Sequence, residues 1–508
     1  MSPVSCRFLP TWPRCSDLFV RSDEREEMFV KLVKQYGKIL KFEGMTATCD
    51  PQLMRRLLLR KAHTLPRSIL YRVLAKACPS FNGILSCAGD DWKRRHRAFT
   101  PLFTGGHIAQ YAGAIHEALL EVMQLQAALG RRPTVHEASA NMWKPSVAGG
   151  TGGIVCKPIA LHDAGVWRDT PLGADRYAGA DLLSLIRWAS LRVLLQWGFG
   201  MCPDTAEARS LGREFHYYVG ILQDVYPYAQ GSTKLWAYAQ LWVSAFRMKA
   251  LVHTVLDKQL YLQDAASAST DGPGNFVTAM LAADFPAGDI VSEMNHIHGA
   301  HKAAALATTM AMFELSRPQN ASWRECVLAE FECVLGERTH PERADLGSMP
   351  VLAAVLDEVL RLHVVSFGTM RMTGAAEQHG DACLPEGSEM QLWLHALHRH
   401  PEHFPQPDVF DPHRFLGRHS TPAVPVPSAR VGQLEVQPGT YYPFLDGQRR
   451  CAGMHLARLE MAVMLHALLR QWDVRVTSTA LRKLPDMFVG IEGPVQYTVG
   501  AQTDAVEL

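Results

Sequence analysis

This sequence of 508 residues lacks several things that would place it in a known broad class. No stretch approaches eighteen consecutive apolar residues, so no membrane-spanning helix is expected. Its 11 cysteines run from Cys6 to Cys451, an odd number with no CxxC pair. That usage fits neither a disulfide framework nor a zinc pattern, and it suits a reducing, intracellular compartment. Charge of one sign is not in excess either: 51 Lys and Arg stand against 50 Asp and Glu, for a net +1. Bulk charge therefore gives no reason to expect nucleic acid or an acidic membrane as partner. The first nineteen residues carry Arg7 and Arg14 but no apolar core of a signal peptide. What is plentiful is hydrophobic content, 47%, ample for a large packed interior.

The stretch richest in chemistry is Tyr441-Tyr442-Pro443-Phe444-Leu445-Asp446-Gly447-Gln448-Arg449-Arg450-Cys451-Ala452-Gly453. A cysteine stands there where a loop meets the apolar helical run from Met454 to Trp472. Gly447 and Gly453 flank it and allow tight turning and close approach of a flat ligand. Arg449 precedes the thiol by two residues, so its guanidinium is expected to pair with a carboxylate and help hold a thiolate. A thiol at a helix N-terminus beside cations is expected to ionise, which makes it a soft metal ligand.

Phe444, Gly447, Arg449, Cys451 and Gly453, at this spacing, resemble the haem-binding loop of the cytochrome P450 family. The resemblance implies a mainly α fold with small β-sheets in one large domain. It makes Cys451 the axial ligand of haem b, with Phe444, Arg449 and Gly453 beside it. Trp92 and His96 look like the family's C-helix pair that binds a haem propionate, with His96 where arginine is usual. The nearby cations Arg95 and Arg97 would face a redox partner. Arg371 stands where the family places a further propionate-binding arginine, and residues 364–369 are expected to border the substrate.

Glu358 and Arg361, three apart on a helix from Pro350 to His363, share a face. They look like the K-helix pair, and Arg414 in Phe410-Asp411-Pro412-His413-Arg414-Phe415 would complete a structural Glu-Arg-Arg network. The helix expected from Asp289 to Ser316 spans about 42 Å and would be the family's central helix over the haem. Where the family carries an acid and threonine, the matching stretch is His298-Gly299-Ala300-His301-Lys302. Thr308 and Thr309 offer a competing alignment. Pro318 favours the first, because Lys302 precedes it by sixteen residues and Thr308 by ten. His301 and Lys302 are thus the candidate distal catalytic pair.

The domain is expected over 24–499, after an extension over 1–23 without a membrane anchor and before a tail at 500–508. Residues 147–179, with seven glycines and no period, read as a loop insertion. The aromatic stretch Leu211 to Met248 falls where the family has two lid helices, and such stripes are more often core than pocket. What the resemblance implies is a monooxygenase acting on a hydrophobic small molecule. Its electrons would come from a separate reductase or ferredoxin, since 57 residues after Cys451 leave no room for a fused donor. Two alternatives stay open. One is a peroxide-driven or hydroperoxide-rearranging enzyme, because His301 and Lys302 replace the usual pair; the other is a haem-binding sensor. The chain as written reads as soluble. Were its N-terminus incomplete, it would sit at the endoplasmic reticulum membrane surface, and peripheral membrane contact is compatible with either.

Overall fold

The computed structural model describes residues 30–35, 37–42, 45–59, 68, 82–128, 181–201, 208, 210–212, 214, 231–265, 275–366, 368–380, 382–429, 436–481, 483–484, 490–491 and 494–500. The extension at 1–23, the insertion at 147–179 and nearly all of the tail at 500–508 lie outside them.

The small sheet forms first in the chain. Strands β1 (Ile39–Phe42) and β2 (Met45–Thr48) make an antiparallel hairpin, with Phe42 paired to Met45. β4 (Glu389–Trp393) joins β2 in parallel, and β3 (Gly368–Met372) pairs antiparallel with β4. The order is β1-β2-β4-β3, so an early hairpin is sewn to a late one across more than three hundred residues. Helix α1 (Pro51–Leu59) follows directly: the Asp50 carboxylate caps it, accepting from the Leu53 N–H at 2.9 Å. Its Leu53, Met54, Leu57 and Leu58 repeat at helical spacing and are fully buried.

The helical body contains α2 (Gly89–Phe99), α3 (Ala112–Ala128), α4 (Leu182–Val193), α5 (Gly231–Ala265), α6 (Ala287–Ser316), α7 (Ala321–Leu335), α8 (Pro350–Leu362) and α9 (Met454–His466). α6 is the spine, with 30 residues ending just before Pro318. It packs on α4, α8 and α9 and serves two separate cores. Its early residues Ile290, Val291 and Met294 belong to a cluster with Phe99, Leu102 and Trp197. Its later residues, Ala305 to Leu315, belong to a larger cluster with α4, α8 and α9. His301 and Lys302 lie between these two stretches of α6.

α5 departs from the sequence reading. It runs on to Ala265, and residues 215–230, where the rest of a two-helix lid was expected, are outside the described residues. Its aromatics are not all core: Phe246 is 75% and Trp242 45% exposed. The helical period turns Leu241, Ser244, Ala245 and Met248 inward and leaves those rings on the outer face. Among the described residues no helix is long and apolar enough to cross a membrane.

Candidate active site

The Cys451 loop sits where the two cores meet. Phe444 packs on the larger core. Phe103, in the smaller one, approaches Gly453: a Cβ added there would lie 3.8 Å from its ring edge. Leu456, in the first turn of α9, touches both. The Cys451 N–H donates to Phe444 O at 2.9 Å, which closes the loop on itself. Gly447 is sterically required: its φ is +69°, and a Cβ would stand 2.2 Å from Leu58 O at the end of α1. Gly453 has no such constraint, with φ −80° and only ordinary contacts for an added Cβ.

The Cys451 sulfur is exposed, although protein crowds around it. That poor hydration pushes the thiol above its usual range, against the Gly453 N–H and Arg450, which both favour the anion. Arg449 also binds backbone and a ring. Its guanidinium donates to Ile84 O at 3.1 Å and Cys87 O at 2.9 Å and lies 4.4 Å over the Trp92 ring. Trp92 in turn stacks against His96, with ring centroids 4.6 Å apart. Trp92, His96 and Arg449 thus form one assembly. Burial, then Arg449, holds the His96 imidazole below its ordinary pKa, so it is neutral near pH 7 and works as a hydrogen-bonding group.

Behind the loop, Glu358, Arg361 and Arg414 come together at 0–4% exposure. Arg361 grips Glu358 with two bonds, Nε to Oε2 at 2.7 Å and a terminal nitrogen to Oε1 at 2.8 Å. Arg414 Nε adds a bond to Oε1 at 3.3 Å, and the Asp411 N–H another at 2.8 Å. Arg361 also donates to the carbonyls of His398 and Pro407, and Arg414 to that of Gln406. Each cation therefore ties distant backbone to one carboxylate. Arg371, on β3, is 4% exposed and donates to Thr369 Oγ1 and Met370 O. His301 is 8% exposed, Lys302 is half-buried, and the side chain of His298 is outside the description. Thr308 and Thr309 are fully buried, and their hydroxyls donate to Ala304 O and Ala305 O of their own helix.

Two supporting groups escaped the sequence reading. Arg95, expected at a partner-facing surface, turns inward: it pairs with Asp91 at 3.0 Å, Asp289 at 3.1 Å and Glu293 at 2.7 Å. Glu293 Oε1 also accepts from the Ile84 N–H at 2.8 Å. The 83–87 turn is thus held from one side by α6 and from the other by Arg449 of the Cys451 loop. The second group is Asp357, which receives Arg458, His419 and the Tyr441 hydroxyl. The i,i+4 pairs Asp91/Arg95 and Asp289/Glu293 were the available signals, but such pairs occur on most solvated helices.

The model of the family described as Cytochrome P450 matches residues 227–499. Cyclooctatin synthase of Streptomyces melanosporofaciens is 30% identical over 47% of this chain, a match that spans half of that enzyme's length. A putative cytochrome P450 138 of Mycobacterium tuberculosis is 24% identical over 90% of this chain and 87% of its own. The human mitochondrial 25-hydroxyvitamin D-1 alpha hydroxylase is 23% identical over 80% of this chain and 71% of its own. The crystal structure of a cytochrome P450DA heme domain superposes with a TM-score of 0.71 at 16% identity, covering 97% of both chains. With more than half of its length matched by the family model, and the fold shared throughout, this chain belongs to the cytochrome P450 family.

Proposed function

We propose that this chain is a haem-thiolate monooxygenase that oxidises a hydrophobic small molecule with O2 and electrons from a separate reductase or ferredoxin. The observation that carries the reading is Cys451, an accessible sulfur beside the Gly453 N–H, at the junction where α6 passes between its two cores. The donor set fits iron protoporphyrin IX. Cys451 would hold the metal, and the Gly453 N–H would temper the sulfur's basicity from outside the coordination sphere. Neutral His96, Trp92 and the buried Arg371 supply N–H donors suited to propionates. When bound, haem supplies the oxygen activation and electron transfer, with the thiolate favouring O–O cleavage.

The chain's own work is positioning and proton handling. The Arg449–Trp92 stack and the Glu358 network hold the loop so that the sulfur keeps one orientation. His301, on the stretch of α6 between the two cores, takes the role of proton donor and acceptor on the distal side. Lys302, next to His301 on α6, would bind an anionic group on the substrate. Substitution of the acid–threonine pair also favours a second reading, in which peroxide supplies the O–O bond ready made.

Cys451→Ser is expected to abolish the thiolate band of the reduced carbon monoxide complex; a variant that keeps the band sinks the assignment. Turnover with a reductase system against hydrogen peroxide separates the two oxygen sources. His301→Ala is expected to keep substrate affinity while uncoupling electron use from product. Lys302→Ala should weaken carboxylate substrates and spare their neutral esters. Unchanged coupling and no acid–ester preference in both variants would remove these residues from the distal site.

A further inference from the structure

Outside the haem site, one cluster has the composition of a metal site. His398-Arg399-His400-Pro401-Glu402-His403-Phe404 folds into a single tight turn, with the His403 and Phe404 N–H groups donating to His400 O at 3.0 and 2.8 Å. Phe404, 1% exposed, pins the turn into the core beneath the Arg361 guanidinium, 5.3 Å from its ring. The turn therefore has little freedom, and it sets the His400 and His403 rings 5.1 Å apart with Glu402 between them. One donor atom from each of the three side chains lies within 4.8 Å of the others. Among the described residues this is the single group of three such side chains so arranged.

We propose that His400, Glu402 and His403 bind a divalent first-row transition ion, of the Zn2+, Ni2+ or Cu2+ class, at the surface beside strand β1. Two imidazoles and one carboxylate are a zinc donor set, with a fourth position left to water, whereas Mg2+ and Ca2+ require oxygen donors throughout. Metal–ligand bonds of about 2.0–2.2 Å would draw the donors to roughly 3.4 Å apart. That movement is within reach of partly exposed rings and of a Glu402 side chain that is 65% exposed. His403 Nε2 is buried and makes no hydrogen bond, and His400 Nδ1 has a long 3.4 Å contact from the Glu402 N–H. Neither imidazole is committed to a strong partner.

A cation already marks the position. Lys38, at the start of β1, places Nζ 2.6 Å from Glu402 Oε2. A metal and this ammonium compete for the same carboxylate and repel each other, so metal entry displaces Lys38. The bland reading of the turn, a solvated lysine–glutamate pair with two neighbouring rings, makes no such link. The two readings separate on a single substitution: under the proposal, removing Lys38 strengthens metal binding.

The test uses tag-free, haem-loaded protein stripped with EDTA and equilibrated by dialysis against Zn2+, with bound zinc measured by atomic emission. The wild type is expected to hold one equivalent more than the His400→Gln/His403→Gln variant at micromolar free zinc. The haem spectrum of each sample reports that it is folded. Lys38→Met should tighten that equivalent about two- to fivefold, the worth of an exposed ion pair. Equal zinc in the wild type and the double variant overturns the proposal. So does Lys38→Met that leaves the affinity unchanged or weakens it, or an equivalent that Mg2+ displaces at equal concentration. A double variant that loses haem is replaced by the single His403→Gln, read for the same equivalent.

Discussion

Glu358 and Glu293, two of the buried carboxylates among the described residues, are both gripped by arginine, and they differ in how completely. Glu358 has both oxygens engaged by Arg361 and Oε1 further held by Arg414 and the Asp411 N–H. Glu293 has Oε1 engaged by Arg95 and the Ile84 N–H, while Oε2 makes no hydrogen bond and lies 3.6 Å from His296 Nδ1. Both are 0% exposed. The saturated carboxylate ties α8 to the segment behind the Cys451 loop, where any movement would misalign the sulfur. The half-saturated one joins α2 and α6 to the 83–87 turn, with capacity left over. Completeness of hydrogen bonding thus separates the two carboxylates.

The largest effect should come from Glu358→Ala. It leaves two buried guanidinium groups without their carboxylate, and removing one partner of such a pair costs about 3–5 kcal/mol. The expected product is protein that expresses poorly or lacks haem, read by pyridine haemochrome content per chain. Normal haem content would mean that the network is not the frame described. Glu293→Gln should do less, because Arg95 keeps Asp91 and Asp289 and the amide oxygen still accepts from Ile84. Loss of a charged hydrogen bond is worth about 1.5–3 kcal/mol, so the variant should melt earlier yet stay haem-loaded. A loss as large as that of Glu358→Ala would erase the distinction between the two carboxylates.

The smallest effect concerns another buried carboxylate, Glu460 on α9, which pairs with no arginine among the described residues. Burial pushes it up to about 7, offset in part by Ser190. A carboxylate whose pKa is higher folded than unfolded holds its proton in the native state. Its contribution to stability is complete at low pH, falls as pH rises above the unfolded value, and is gone once pH exceeds about 7. Glu460→Gln should therefore raise the Tm by a few degrees at pH 8 and change little at pH 5. Equal effects at both pH values would show that ionisation of Glu460 is not what the native state resists.

How much was legible beforehand follows from how local each interaction is. The periodic run of α6 to its stop before Pro318 and the Glu358/Arg361 pair both rest on residues close in sequence. Arg414 was reachable through the family resemblance, although 56 residues separate it from Glu358. The partners of Arg449, 362 and 365 residues away in sequence, left no local trace. Arg95 read as a solvent-facing cation because α2 is polar nearly all round, and only the packing of α2 against α6 turned it inward.

By itself the sequence determined the helices and caps, the signature around Cys451 and hence the family, because short-range hydrogen bonds and periodicity are written in neighbouring residues. Tertiary structure alone decided that desolvation by surrounding protein raises the Cys451 thiol, that Arg449 clasps the 83–87 turn, and that Glu402, beside His400 and His403, meets Lys38. Those outcomes depend on desolvation and on contacts between segments hundreds of residues apart. Neither quantity exists until the chain has closed on itself.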